Sequence, residues 1–298
     1  MSYIIAIAME FIDTHSHLYD EAFTGEEDAA IERSRQAGVG KIIFPDIDSS
    51  TRQTMFKIAD RHQGVVFPCL GLHPTSIDAG WETEMEKLHE SMNRRIWAIG
   101  EIGMDCYWSK DFVEQQKTAL KIQLELADKM FLPVIIHSRE STSLIIKVLQ
   151  ECRHLNIRGV FHAFSGSAET FSELQRLGDW YVGIGGVLTY KKASIAETVK
   201  DIPLGRILLE MTPLTSHLFH SEADETKAAT YPTLQQSLRK SLERTSRKSL
   251  RQPQQMLKTY SEYEHADTGF RKIIHSPDLH RRYHRHEGRP CNPGPQTI

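Results

Sequence analysis

The sequence predicts an α/β fold of the TIM type, a (β/α)8 barrel of parallel strands. The chain has 298 residues, 40% of them hydrophobic, which is enough to bury one large core. Short apolar segments recur along residues 10–210, bounded by Gly or Pro and often rich in Val and Ile, as strands buried on both faces are. Amphipathic segments lie between them, and this alternation favours a barrel over the remaining alternative, a doubly wound open sheet.

The predicted elements follow one another in a regular order. Strands are expected at Phe11–Asp13, Lys41–Pro45, Val65–Leu70, Ile96–Ile99, Val134–His137, Gly159–His162, Tyr181–Ile184 and Arg206–Glu210. Helices are expected between them, and the clearest cover Glu26–Ala37, Phe112–Met130 and Ser141–Cys152. In such a barrel the carboxyl ends of all strands meet at one face, where the active sites of barrel enzymes lie.

Both ends of the chain differ from this barrel segment, residues 10–210. Residues 1–9 are apolar but too short to span a bilayer, and we interpret them as a start extension before Met9 or, alternatively, as an extra strand. Residues 211–298 contain no Val and no Trp and hold 7 of the 15 His. Such a segment buries little surface, so we expect a disordered or loosely helical tail in place of the last barrel helix.

The overall composition bears on the setting in which the protein works. Its net charge of -3 and pI of about 6.6 do not indicate a protein that coats nucleic acid or binds a membrane surface. The four cysteines form no C-x-x-C pair, which is typical of reduced thiols in a cytoplasmic protein. Glycine-rich nucleotide loops and the G-x-S-x-G motif are absent from the sequence. We expect a cytoplasmic monomer without a protein partner.

Histidines stand at the end of the first predicted strand, in the segment Asp13-Thr14-His15-Ser16-His17. Two histidines two apart on an extended segment project to the same side, so both rings can bind one cation. A chance pair of this kind is common. Its position at the carboxyl end of a barrel strand makes a metal site the stronger interpretation.

Four further segments repeat this placement after the third, fourth, fifth and sixth strands. They are Gly71–Pro74 with His73, Gly100–Asp105 with Glu101, His137–Arg139, and His162–Gly166. A single histidine at a strand end is more often a hydrogen-bonded core residue than a ligand, but five such segments at one face indicate a common site. Imidazole and carboxylate groups bind Zn, Mn or Mg, and a carboxylate can bridge two cations.

The motifs D-T-H-S-H-L, G-L-H-P, G-E-I-G-M-D, H-S-R and H-A-F-S-G, in that order, resemble the TatD family of metal-dependent deoxyribonucleases. The resemblance implies two divalent cations and cleavage of DNA phosphodiester bonds by a metal-activated water, sometimes from the 3′ end. The roles it implies are as follows: His15 and His17 bind the first cation, His137 and His162 the second, catalytic Glu101 bridges both, and His73, Asp105 and Arg139 lie near the substrate phosphate. The fork of an arginine can hold a phosphate through two hydrogen bonds.

One position departs from the family pattern. Family members continue the last strand with Thr-Asp, and that Asp is a ligand of the first cation and the base for the attacking water. This chain reads Met211-Thr212-Pro213 after Glu210. One extra base after the first base of codon 211 creates an Asp codon, and permitted codons for the following residues then encode the family's proline-rich loop. We hypothesise a one-base deletion, so that residues 211–298 are out-of-frame translation, which the coding DNA would test.

The sequence therefore predicts a divalent-metal-dependent nuclease whose activity is impaired by the missing Asp. Two alternatives stay open. One is a hydrolase of a non-DNA ester or amide such as aminoacyl-tRNA, because related metal barrels cleave such bonds. The other is a catalytically inactive metal-binding remnant.

Overall fold

The computed structural model describes residues 11–190 and 193–210. Within these residues eight strands alternate with helices. The strands are β1 (Phe11–Asp13), β2 (Val39–Phe44), β3 (Val66–Pro68), β4 (Ile99–Asp105), β5 (Val134–Arg139), β6 (Arg158–Phe161), β7 (Asp179–Ile184) and β8 (Ile207–Leu209). The α-helices are α1 (Glu27–Gln36), α2 (Ser49–Arg61), α3 (Trp81–Glu90), α4 (Val113–Met130), α5 (Thr142–Glu151), α6 (Ala168–Gln175) and α7 (Ile195–Thr198).

The strands form the TIM-type barrel that the sequence predicts. β1 to β3 pair in parallel in one group, β4 to β8 in another, and a parallel bridge between Leu70 and Ile99 joins the groups. The ring closes between β8 and β1, where the backbone N–H and the hydroxyl of Thr14 donate to the Leu209 carbonyl at 3.5 and 3.1 Å. All strands run in the same direction, so their carboxyl ends share one face.

The core has two layers because each barrel strand is buried on both sides. The outer layer packs the strands against the surrounding helices; Leu120 and Leu124 of α4 are fully buried in it. Side chains from around the ring fill the barrel interior: Ile12, Ile43, Phe67, Cys69, Ala98, Ile135, Val160, Tyr181 and Leu208. The barrel is thus a packed core without a channel, and chemistry is left to the strand ends.

The predicted position of the fourth strand is wrong. β4 begins at Ile99, where the predicted strand ends, and continues to Asp105. Two glycines allow this continuation, since a Cβ on Gly100 would lie 2.6 Å from the Cβ of Ile135 and one on Gly103 would lie 2.0 Å from the carbonyl oxygen of His137. Neither position has room for a Cβ beside β5. The other seven strands and the three clearest helices match their predicted bounds to within two residues at each end.

Several predictions fall on residues 1–10 and 211–298, which lie outside the described residues. They are the start extension, the tail that replaces the last helix, and the frameshift hypothesis. In the part of the chain that the structure describes, every helix is too short or too polar to cross a membrane. Cys69, Cys106 and Cys152 are buried free thiols there.

Candidate metal centre

The carboxyl face of the barrel brings the predicted residues together around Glu101. Glu101 is buried in β4, and four imidazoles face its carboxylate. Oε2 lies 3.0 Å from Nε2 of His15 and 3.4 Å from Nε2 of His17. Oε1 lies 3.0 Å from Nδ1 of His137 and 3.6 Å from Nε2 of His73. One carboxylate thus contacts side chains carried by three different parts of the barrel.

The ligand atoms form two groups that share Glu101. The first group consists of His15, Glu101 and His162, and the second of His73, Glu101 and His137. Within each group, one ligand atom per residue lies within 4.8 Å of the others. Two imidazoles and a carboxylate suit a Zn or Mn ion, and a carboxylate between two such groups suits a pair of cations.

This grouping differs from the one that the family resemblance implies. His162 lies with His15, their rings stacked with centroids 3.3 Å apart and planes at 16°. His73, expected near the substrate phosphate, has its Nε2 3.2 Å from Nδ1 of His137. His17 lies at the more exposed rim, with its Nε2 2.9 Å from Nε2 of His15. The structure brings these residues together, and their division between two cations stays a prediction.

Unsatisfied polar atoms support a cation site at this cluster. Nδ1 of His15, Nδ1 of His162 and Oε1 of Glu210 are buried without a hydrogen-bond partner. Oε2 of Glu210 lies 3.0 Å from Nδ1 of His162 as an ion-pair contact without a hydrogen bond. A buried polar atom without a partner costs about 1–3 kcal/mol, and coordination of a cation removes this cost. The residues present therefore fit the divalent metal.

The electrostatics of the cluster favour a charged Glu101 with neutral His15 and His73 beside it. Burial opposes a charge on His162, but Glu210 and Glu101 raise the pKa of that ring. Burial works against the charge on Glu101, but the attraction of His15, His73 and His162 holds its pKa well below the usual range. Burial and the nearby His162 lower the pKa of His15 well below its ordinary value. Burial and His137 lower the pKa of His73 in the same way. Neutral imidazole is the form that binds metal, so both rings are ready to do so.

Asp105 and Tyr19 orient two of the histidines from behind. Oδ2 of Asp105 lies 2.9 Å from Nε2 of His137. Burial opposes a positive charge on the His137 ring, but Asp105 and Glu101 raise the pKa of His137 to about 9. The hydroxyl of Tyr19 lies 2.8 Å from Nδ1 of His17 and donates to a backbone carbonyl. A partner on the far nitrogen fixes the orientation of a ligating imidazole. Tyr19 was not predicted, because it follows the strand in an irregular segment without a pattern.

Glu210 is a further residue that the sequence analysis missed. It is 1% exposed, and Oε2 accepts a hydrogen bond from the Ala163 backbone N–H at 3.0 Å. The rule that selected Glu101, an acidic residue at the carboxyl end of a barrel strand, applies equally to Glu210. Its contacts place it behind His162, at the edge of the first ligand group.

A buried ion pair fixes the backbone beside Glu101. Oδ2 of Asp46 accepts from Nε of Arg52 at 2.6 Å and from the Gly71 N–H at 3.2 Å. The Asp46 backbone N–H donates to the Gly100 carbonyl at 2.9 Å, and its carbonyl accepts from the Glu101 N–H at 3.0 Å. Burial raises the pKa of Asp46 to about 7, although Arg52 and the Gly71 amide draw it down. Asp46 thus connects the ends of β2, β3 and β4.

Comparisons with known proteins find relatives that are metal-dependent hydrolases. The sequence model of the TatD-related DNases matches residues 12–252. The metal-dependent hydrolase YjjV of Escherichia coli is 37% identical over 205 residues, which are 67% of this chain and 78% of YjjV. The human deoxyribonuclease TATDN3 is 28% identical over 69% of this chain and 78% of its own. The crystal structure of YjjV superimposes with a TM-score of 0.68 at 29% identity, covering 80% of this chain and 97% of that one.

Proposed function

We propose that this chain, which belongs to the TatD-related DNase family of metal-dependent hydrolases, cleaves DNA phosphodiester bonds with the help of two divalent cations. The observation that carries the proposal is the sharing of Glu101 by two histidine groups. When bound, Mg, Mn or Zn ions at such a pair of sites offset the charge of the phosphate and make a bound water more acidic. The name of the relative TATDN3, a deoxyribonuclease, supports DNA as the substrate.

The residues of this chain have distinct tasks in the proposal. Glu101 presents one carboxylate oxygen to each ligand group. Asp105 keeps His137 oriented through its far nitrogen, and Tyr19 does the same for His17. Preorganised ligands of this kind lower the cost of assembling the site during the reaction. Arg139, carried by β5, is the cationic side chain that we assign to the substrate phosphate.

We also propose that this chain cleaves DNA more slowly than its relatives do. At the end of the last strand the family's Asp is replaced, and this chain reads Met211-Thr212. By the family resemblance the missing carboxylate is a ligand of the first cation and the base for the attacking water. We therefore place the activity below that of relatives that keep the Asp. We also place the protein in the cytoplasm, as a monomer that acts on DNA without a protein partner.

Replacement of Glu101 by Gln tests the centre. The variant keeps the side chain's shape but loses the negative charge shared by both groups, so we expect DNA cleavage to fall by at least about 100-fold. Glu151→Gln is the matched control, because that carboxylate lies exposed on α5, where it pairs with Lys121 away from the ligand groups. The full-length protein is incubated with labelled DNA and Mn or Mg, and calorimetric titration counts the cations bound.

Parallel assays separate the proposal from its alternatives. Ester and amide substrates, including aminoacyl-tRNA, are offered under the same conditions. Cleavage of these but not of DNA would transfer the activity to another substrate class. Cation binding without turnover of any substrate would identify an inactive remnant. Equal cleavage of DNA by Glu101→Gln and by the unchanged protein would remove Glu101 from the mechanism.

A further inference from the structure

Two aromatic side chains lie exposed immediately after β4. Tyr107 is 42% and Trp108 is 56% exposed, and both follow the Asp105 that contacts His137. Only five large hydrophobic side chains are exposed among the described residues, and Val187 and Tyr190, after β7, are two of the others. Four of the five therefore follow carboxyl strand ends. The exposed apolar surface is concentrated on the face that carries the candidate metal centre.

One carboxylate ties this aromatic pair to the metal centre. Oδ1 of Asp105 accepts hydrogen bonds from the backbone N–H groups of Tyr107 at 2.9 Å and Trp108 at 3.4 Å. Oδ2 of the same carboxylate lies 2.9 Å from Nε2 of His137. The loop that presents the rings is thus held through a single side chain to a ligand of the second group. A ligand lying on the rings would have a defined position relative to that group.

Arg139 completes the arrangement from β5. Its guanidinium carbon lies 3.7 Å from the centroid of the Tyr107 ring and 5.2 Å from that of Trp108. The two rings stand nearly perpendicular, with planes at 84° and centroids 5.0 Å apart. Such cation–π contacts hold exposed aromatic rings in place. The guanidinium that we assign to the substrate phosphate thus also lies against the ring of Tyr107.

We propose that Tyr107 and Trp108, with Arg139 against them, form a stacking subsite for one unpaired nucleobase of the strand being cleaved; this rests on the proposed function. Exposed rings beside a cationic group are the means by which proteins hold bases without reading their identity. In a duplex both faces of a base are covered by its neighbours. The subsite therefore accepts a base at a strand end or in a single strand, whatever its identity.

A binding assay that needs no turnover tests the subsite. A fluorescein-labelled oligothymidylate and an abasic oligomer with the same number of phosphates are titrated with the full-length protein in EDTA, and anisotropy is recorded. We expect the base-bearing probe to bind more tightly, and Trp108→Ala to weaken its binding about 5- to 150-fold, the usual loss for one stacked base. Trp108→Phe keeps a ring and is expected to retain most of the affinity.

Trp97→Phe is the matched control. Trp97 also carries a stacked arginine, Arg95 at 4.6 Å, but it lies before β4, at the opposite end of the barrel. We expect it to bind both probes as the unchanged protein does. Equal binding of the two probes, an unaltered affinity in Trp108→Ala, or no binding of either probe would overturn the subsite.

The kinetics with Mn separate this inference from the function on which it rests. If DNA is cleaved, Trp108→Ala is expected to raise KM with kcat nearly unchanged, because the ring holds the substrate and does not touch the reacting atoms. Base-dependent binding without cleavage would refute the proposed function and leave the subsite standing. Cleavage with a KM unaffected by Trp108→Ala would refute the subsite alone.

Discussion

Replacing Asp46 by Leu is expected to destabilise the barrel strongly, because it leaves a buried positive charge without its partner. The side chain of Arg52 is 5% exposed and that of Asp46 is 0% exposed, with Nε and Oδ2 2.6 Å apart. Removing one member of a buried ion pair costs about 3–5 kcal/mol. That loss is a large part of the roughly 5–15 kcal/mol by which a protein of this kind is stable.

A second replacement, Arg52→Met, isolates the cause. The double variant buries no charge, and exchange of a buried ion pair for apolar side chains is often neutral. The Gly71 N–H, which donates to Asp46 at 3.2 Å, still loses its acceptor, at a cost of about 1–3 kcal/mol. We expect the double variant to be more stable than Asp46→Leu alone by roughly 2 kcal/mol, although less stable than the unchanged protein.

Urea unfolding of the full-length protein measures both effects. The experiment is run at pH 8, where the Asp46 carboxyl, whose pKa burial raises to about 7, is ionised. Far-ultraviolet circular dichroism and tryptophan fluorescence must give coincident transitions before free energies are compared. Asp60→Leu is the control, since Asp60 and Arg94 form an exposed ion pair at 2.7 Å that contributes about 1 kcal/mol or less. A loss below about 1 kcal/mol in Asp46→Leu, or a double variant as unstable as the sum of the single ones, would refute the reasoning.

Three further predictions concern the backbone, the acid range and metal binding. Gly103→Ala is expected to lower the melting temperature and abolish activity, because φ is 143° and a Cβ would lie 2.0 Å from the His137 carbonyl oxygen. The side chain of Asp48 caps α2 and accepts a hydrogen bond from the Ser76 hydroxyl at 2.7 Å. Burial opposes the charge of this carboxylate, but its hydrogen bonds hold its pKa below the ordinary value. We therefore expect its contribution to stability to be full above about pH 4 and to be lost as the pH falls through the lowered pKa. Mn at 100 times its dissociation constant is expected to add about 2.7 kcal/mol to the stability, but much less in Glu101→Gln.

Each of these has its own control. Gly205→Ala should leave melting and activity unchanged, since nothing lies within 4 Å of the position of its added Cβ. Asp48→Asn keeps a capping side chain but cannot titrate, so thermal unfolding from pH 6 to pH 3 should show a shallower loss than in the unchanged protein. EDTA should reverse the effect of Mn. A Gly103→Ala variant with normal melting, an unaltered acid profile in Asp48→Asn, or equal stabilisation of Glu101→Gln by Mn would contradict the respective prediction.

The strand-end residues could be predicted because a parallel barrel brings all its carboxyl strand ends to one face. Sequence order alone therefore placed His15, Glu101 and His137 near one another. β4 was misplaced because Gly100 and Gly103 look like a turn in the sequence, whereas in the structure they lie within β4 at positions where an added Cβ would clash with β5. Regular strand patterns predict the scaffold well, and the exceptions are set by close backbone contacts that the pattern does not record.

The grouping of ligands could not be predicted in the same way. β1 and β6 are not neighbours in the ring, yet His15 and His162 stack with centroids 3.3 Å apart. This contact crosses the mouth of the barrel, and neither spacing nor order along the chain encodes it. Glu210 is a different case, because its place directly after β8 follows the rule that selected Glu101 and was available from the sequence. Contacts between strands that do not pair depend on the diameter and tilt of the barrel.

The two ligand groups depend unequally on the end of the chain. Glu101 and His137 lie in β4 and β5, His73 lies in the loop after β3, and Asp105 of β4 orients His137. The group of His15 and His162 instead depends on contacts with β8 and the residue after it. Glu210 contacts His162, and the Leu209 carbonyl accepts a hydrogen bond from the Thr14 hydroxyl. A change after Glu210 therefore reaches the first group directly and the second only through Glu101. An impaired enzyme that still binds one cation well is the outcome that this asymmetry favours.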